Sequence, residues 1–257
     1  MSRGGRAWRG WFPLGGELTS GVPDGKEGYY FGAELGEDHP LVAANVALHG
    51  RNLFPARPAE LGSAVLEWIE RMTDLGHVLM RAIGVGLGLG PTWFDEHLTG
   101  DPTVLFRIFT YPPTRSEGWG VAEHTDYGLL TILAQDDRGG LQVRTPDGWI
   151  DVATEPGVLV CNVGDMLERM TAGRYRSTPH RVRNTSGRDR LSFPFFFDPA
   201  WDADVRPLPL ADSPPADDSA TRWDGTSVFA WEGTYGDYLL SKVTKVFPEL
   251  ATEAEVG

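Results

Sequence analysis

The chain has 257 residues, with 23 Lys and Arg against 36 Asp and Glu, for a formal net charge of −13. That length allows one large domain or two small ones and buries enough surface to fold without staples, while so acidic a surface repels phosphate backbones and anionic lipid and excludes nucleic acid and membrane as partners. The single cysteine, Cys161, excludes an internal disulfide framework and fits a reducing cytoplasm; within the apolar run "GVLVCNVG" it reads as a small buried hydrophobe.

The first stretch, "MSRGGRAWRGWFPLGG", carries arginines but no apolar h-region, so it is not a secretory signal, and no apolar run is long enough to span a bilayer. In a cytoplasmic chain the sequon at Asn184 then has no meaning. Residues 1–58 are rich in Gly, Pro and aromatics, and "GVPDGKEGYYFGAELGEDHPLV" reads as loop and turn. From Ser63 to Val85 the pattern changes. Val65, Leu66, Ile69, Met72, Leu75, Leu79 and Ile83 recur at helical spacing, with Arg71, Asp74 and Arg81 marking the wet side, so one long amphipathic helix is expected. His77, in the same helix, reads as packing or surface. "GVGLGLGP" (84–91) fails the spacing of a dinucleotide loop and reads as the helix end.

From residue 103 the chain turns to short β-like runs: "TVLFRIFTY", "LLTILAQ", "GLQVRT", "WIDVA", "GVLVCNVG", "STPHRVRN" and "RLSFPFFF". Seven such runs, broken by one short helix at "DMLERMT", predict a sandwich or jelly roll. Residues 203–232 are Pro/Asp/Ser-rich and read as a surface excursion or lid. "GDYLLSKVTKVF" (236–247) predicts a closing helix with Tyr238, Leu239, Val243 and Val246 on one side. The expected organisation is a supporting region over 1–99, a core over 100–200 and a lid with a helix over 201–257, together one structural domain.

The chemistry is concentrated in three places. In "EHTDYG", His124 and Asp126 stand two positions apart, and in extended chain such side chains share a face. Alone the pair could be a polar turn before a strand. His180, 56 residues later on another strand-like run, can supply a third ligand. Two imidazoles and one carboxylate on one side of a metal leave the opposite positions open, which suits Fe(II) taking a chelating cosubstrate and dioxygen; the thiolates of structural zinc are absent. In "RLS", Arg190 and Ser192 again share a face and make a fork for a carboxylate. A small dicarboxylate chelating metal at one end and pairing with Arg190 at the other fits this layout. The stretch 169–190 carries seven arginines against one aspartate, read either as a solvated strand face or as a local positive field for a small anion.

These motifs resemble one family closely. "FRIFTYPP", "HTDYGLLTIL", "GGLQVR", "NVGDMLERMTAGRYRSTPHRV", "RLSFPFFFDP" and "YGDYLLSKVTKVFP" look like the isopenicillin-N-synthase-like branch of the Fe(II)/2-oxoglutarate-dependent dioxygenases, over nearly the whole chain. The resemblance implies a mainly β fold with flanking helices around a double-stranded β-helix (jelly-roll, cupin-like) core. It implies iron held by His124, Asp126 and His180, and the 5-carboxylate of 2-oxoglutarate gripped by Arg190 and Ser192 with the hydroxyl of Tyr111. Phe196, on the face of Arg190 and Ser192, is then expected in the substrate pocket, and Asn162 and Asp165 form a mainly structural turn. The implied reaction hydroxylates or otherwise oxidises a small molecule with dioxygen, releasing succinate and CO2; no obligate protein partner is implied.

Two departures stand out. Phe109 occupies a position where plant members commonly carry Asn. Members also carry a strand and helices ahead of "RGWFPLGGE", so a misassigned start or a shortened form with an uncovered sheet edge is expected here. Two other readings stand beside the first: an oxidase of the same fold that does not use 2-oxoglutarate, and a non-catalytic metal-binding remnant. Tyr30, Phe31, His49, Trp119 and Phe196 are candidates for the cavity entrance.

Overall fold

The computed structural model describes residues 2–19, 21–113, 118–210, 218–222 and 225–246. In chain order the elements are strands β1 (Gly10–Phe12), β2 (Leu18–Thr19), β3 (Val22–Pro23) and β4 (Glu27–Gly32), helices α1 (Pro40–Ala43), α2 (Leu61–Gly86) and α3 (Trp93–His97), then β5 (Thr103–Tyr111), β6 (Val121–His124), β7 (Leu130–Gln135), β8 (Leu141–Thr145), β9 (Gly148–Asp151) and β10 (Val160–Val163). After these come α4 (Asp165–Met170), β11 (His180–Val182), β12 (Arg190–Asp198) and α5 (Tyr235–Val246). A six-stranded antiparallel sheet, β1-β4-β5-β12-β7-β10, and a four-stranded one, β6-β11-β8-β9, make the jelly roll; β2 and β3 form a small hairpin. No helix among the described residues is long and apolar enough to cross a membrane.

All seven β-like runs become strands, and "DMLERMT" becomes α4. Five strands lie where none was expected: β1, β2, β3, β4 and β6. β4 sits in "KEGYYFG", read as turn, yet it pairs with β1 on one side and β5 on the other. Its Tyr30 and Phe31 are both buried, so it is covered on both faces and shows no alternation for a period-two reading to find. β6 ends in the polar pair Glu123 and His124, which hides it for the opposite reason.

The long helix forms as expected and buries Val65, Ile69, Met72, Gly76, Met80 and Gly84, with Gly76 against the larger sheet and Gly84 against Gly90 and Phe94. Leu66 is not on this stripe and is exposed: the period places it one position past the buried Val65. Gly76 is where helix and sheet touch, since a Cβ there would stand 2.3 Å from the ring of Phe197 on β12. His77 packs edge-on against the same ring and meets Asp95 at 3.2 Å, as a packing residue. The helix stops in a paired turn: Gly88 N–H donates to Val85 O, Leu89 N–H donates to Gly84 O, and Gly88 takes φ +77°.

Cys161 is exposed, against expectation. It lies on β10 at the edge of the larger sheet, so a side chain pointing away from the inner face meets solvent. The other edge is β1, three residues long, where Trp11 is exposed. The Pro/Asp/Ser-rich stretch is not merely a surface excursion: Val205, Leu208 and Val228 are buried, and Arg222 pairs with Asp165 at 2.9 Å and Glu168 at 3.2 Å on α4. The remainder of that stretch at 211–217 and 223–224 lies outside the described residues, as do Phe247 and the side chain of Val246. Tyr238, Leu239 and Val243 of α5 are buried as expected.

Candidate active site

A cavity of about 690 Å³ lies between the two sheets, with α5 and the β2 region at its rim. Tyr111, His124, Asp126, His180, Arg190, Ser192 and Phe196 all line it, so the structure gathers every site residue named from the sequence.

β6 and β11 place the histidines. His124 and His180 are direct cross-strand partners with ring centroids 4.2 Å apart. Asp126 follows two residues after β6, and its Oδ1 lies 4.0 Å from His124 Nε2 and 3.7 Å from His180 Nε2. The three ligand atoms fall within 4.8 Å of one another, a spacing that could hold a metal ion. Each Nδ1 faces a backbone carbonyl, Ala122 O at 2.8 Å and Thr178 O at 3.0 Å. A carbonyl only accepts, so each Nδ1 carries a proton, and in the neutral ring Nε2 is the nitrogen whose lone pair is left for the cavity. Burial first, then the neighbouring His180, holds the His124 imidazole well below its ordinary pKa, which keeps the ring neutral.

Asp126 is fixed just as firmly. Thr131 Oγ1 donates to its Oδ2 at 2.6 Å and Asn162 Nδ2 donates to the same oxygen at 2.7 Å, leaving Oδ1 toward the histidines. Burial alone would raise this carboxyl, but His180 and His124, followed by those two hydrogen bonds, carry it below its ordinary value. Two imidazole nitrogens and one carboxylate oxygen are a borderline donor set that fits Fe(II). Asn162 therefore does more than close a turn, as the sequence reading had it. Asp165 does stay structural, holding Arg222 and, at 3.2 Å, the hydroxyl of Tyr238.

A second centre lies further along β12. Arg190 pairs in register with Tyr111 of β5 and is fully buried. Its Nε donates to Gly139 O at 2.6 Å and its Nη2 to Gln135 Oε1 at 3.1 Å, while Nη1 is buried with no partner among the described residues. A buried guanidinium N–H without an acceptor is costly, and a ligand carboxylate fits it. Ser192, the next inward residue of β12, is buried, and burial raises the Tyr111 phenol, which keeps it a donor. Asn184, buried beneath, donates to Tyr111 O at 2.7 Å and ties this end of β5 to the turn before β12. Of the seven arginines in 169–190, Arg190 is the one that lines the cavity among the described residues. Arg181 instead stacks on Trp119 and Trp149 on the outer face, and Arg169 donates to the carbonyls of Val205, Val228 and Phe229.

Several cavity residues went unread. Thr131 lies on β7, a strand whose apolar run drew attention to its core role. Glu17 and Lys26 stand just before β2 and β4, and Arg107 lies on β5. Lys26 Nζ lies 2.7 Å from Glu17, contacts Asp24 and stands 4.8 Å from the Phe109 ring centroid, so where plant relatives commonly carry Asn this chain has an aromatic wall under a buried cation. Arg107 was within reach of the period-two rule, because 107, 109 and 111 share a face. Of the entrance candidates, Phe196 lines the cavity; His49 packs on Trp201 and Trp119 on Arg181.

The family model described as the 2OG-Fe(II) oxygenase superfamily matches residues 102–199. A probable iron/ascorbate oxidoreductase of Dictyostelium discoideum is 48% identical, over 95% of this chain and 75% of that protein. The chain belongs to the Fe(II)/2-oxoglutarate-dependent dioxygenases. Also similar to this dioxygenase is a 1-aminocyclopropane-1-carboxylate oxidase of the same organism, 35% identical over 95% of the chain and 76% of that protein. Among solved structures, a full-length Neurospora crassa protein in complex with alpha-KG and thymine superposes with a TM-score of 0.74 at 28% identity, covering 93% of this chain and 75% of that one. The dioxygenase is thus an oxidoreductase whose cofactor is Fe(II) and whose cosubstrate is 2-oxoglutarate, on the jelly-roll fold of its neighbours.

Proposed function

We propose that His124, Asp126 and His180 hold the iron, that Arg190, Ser192 and Tyr111 receive the far carboxylate of 2-oxoglutarate, and that Phe196 is a wall for a small-molecule substrate. The carrying observation is the buried Arg190 Nη1, without an acceptor among the described residues, on the same strand face as Ser192 and in one cavity with the triad. When bound, the iron supplies the open coordination sites and redox chemistry for oxidation by dioxygen, with 2-oxoglutarate leaving as succinate and CO2. The chain's part is positional. Ala122 O and Thr178 O hold the imidazoles in the metal-binding tautomer, Thr131 and Asn162 aim Asp126 Oδ1, and Leu133, Leu141 and Val182 line the cavity with apolar surface that limits water.

A small-molecule substrate in the cytoplasm suits the size of the cavity, the single cysteine and the net charge of −13. One-domain organisation is supported by β1 and β4 sharing a sheet with β5–β12 strands and by α5 lining the same cavity as β12. The deciding experiment supplies carboxyl-labelled 2-oxoglutarate with Fe(II) and follows CO2 and succinate. Release that needs both iron and 2-oxoglutarate is expected. Oxygen consumption that proceeds unchanged without 2-oxoglutarate would favour the second reading, an oxidase of the same fold, which the relatives named iron/ascorbate oxidoreductase and 1-aminocyclopropane-1-carboxylate oxidase motivate.

A further inference from the structure

β5 presents Leu105, Arg107, Phe109 and Tyr111 to the cavity. Tyr111 stands opposite Arg190, while Arg107 lies four residues away, about 13 Å along an extended strand. Arg107 is thus on the metal side of the cavity floor: Thr131, which fixes Asp126, is paired with Phe196, and Phe196 with Leu105. One small dicarboxylate reaching from the iron to Arg190 does not also reach back to Arg107.

The state of the Arg107 side chain is unusual. It is 14% exposed, and its Nη1 stands 3.9 Å from Glu17, beyond hydrogen-bond range. Among the described residues it donates no hydrogen bond, and its Nε is buried without an acceptor. The other largely buried arginines, Arg9, Arg169, Arg190 and Arg222, all donate to carbonyls or carboxylates. Glu17 is already engaged by Lys26 at 2.7 Å. Aromatic rings cover the guanidinium of Arg107, with Tyr30 3.9 Å and Phe196 5.0 Å from its Cζ. Aromatic rings offer the guanidinium no hydrogen-bond acceptor of carboxylate strength, and its planar N–H edge matches a carboxylate with two parallel hydrogen bonds.

We propose that Arg107, held between Tyr30 and Phe196, is a specificity-determining residue that binds a carboxylate of the primary substrate. This rests on the assignment of Arg190 to 2-oxoglutarate, which leaves Arg107 for a different anion. The substrate is then a small carboxylic acid whose reacting carbon lies between Arg107 and the iron ligands.

Calorimetric titration without oxygen tests this on protein loaded with Fe(II) and saturating 2-oxoglutarate, so that Arg190 is already engaged. The probes are matched acids and amides: butyrate and butyramide, phenylacetate and phenylacetamide, cinnamate and cinnamamide. At least one acid is expected to bind about tenfold or more tighter than its amide, the range for a charge-assisted pair. Arg107→Met should abolish that preference, Arg107→Lys should restore part of it, and the visible band of the Fe(II)–2-oxoglutarate complex should persist in both. No acid preference in the wild type overturns the proposal without any variant. Preference retained in Arg107→Met overturns it as well, and loss of 2-oxoglutarate binding in that variant reassigns Arg107 to the cosubstrate. A wild type that fails to bind 2-oxoglutarate at all refutes the cosubstrate assignment instead, so the two failures are distinct.

Discussion

Two hydrogen bonds to one oxygen determine what Asp126 can offer. With Oδ2 taken by Thr131 and Asn162, Oδ1 is left beside two Nε2 atoms whose tautomers the backbone has set. Removing either imidazole leaves two ligands, too few to retain Fe(II) against solvent. His124→Ala or His180→Ala should therefore lose stoichiometric iron, measured by metal analysis after desalting, together with turnover; a variant that keeps its iron would show that the triad is not the site. Arg190 acts at the other end of the cavity. Arg190→Leu removes the unpartnered donor without touching the triad, so iron should stay bound while the apparent KM for 2-oxoglutarate rises by about tenfold or more, the worth of a hydrogen bond to a charged group. An unchanged KM would place the carboxylate elsewhere.

At the scale of elements, β12 carries two jobs on opposite faces. Arg190, Ser192 and Phe196 face the cavity, whereas Phe197 faces α2 and packs where Gly76 has no side chain. The helix is therefore a backing plate for the strand that holds the clamp. Gly76→Val forces a branched side chain into the space of the Phe197 ring, and overpacking of this kind costs about 1–3 kcal/mol. Urea denaturation should show a lower midpoint with an unchanged slope, and the loss should exceed that of Val78→Ala on the exposed side of the same helix. Equal losses for the two would mean that α2 is not seated on Phe197. The helix and its stripe were legible from period alone. Gly76 was not, because a small residue at a contact point has no apolar signature.

Across the whole molecule, elements distant in sequence close over one buried charge. Asp198, at the end of β12, is fully buried and accepts from the Tyr235 hydroxyl of α5 at 2.5 Å and from Leu129 N–H at 3.3 Å. Burial pushes its carboxyl up to about 7, and the two hydrogen bonds offset only part of that. A folded pKa above the unfolded one means that the native state holds a proton the unfolded chain has lost. This contribution to stability is complete below about pH 4 and is lost as pH rises toward about 7, with a limiting slope of about 1.4 kcal/mol per pH unit. Urea midpoints measured across that window should fall with pH more steeply for wild type than for Asp198→Asn; parallel profiles would show that Asp198 titrates as an ordinary carboxylate. The same closure brings β4 and α5 against the central strands, so residues from both ends of the chain meet at one cavity.

The sequence by itself determined seven of the eight strands from 103 to 198, the long helix, the candidate metal triad, the candidate carboxylate fork and, through the resemblance carried by those motifs, the family. Each of these is local, or a set of motifs in a fixed order, and side-chain period exposes it directly. Only the tertiary structure decided that "KEGYYFG" is a strand, that Asn162 and Thr131 aim Asp126, that Cys161 faces solvent and that the Arg107 Nε, in the cavity wall, has no acceptor among the described residues. Those facts depend on which partners arrive from elsewhere in the chain. A strand buried on both faces, a hydrogen bond between strands and an unaccepted donor are properties of neighbours, and neighbours exist only once the sheets have closed.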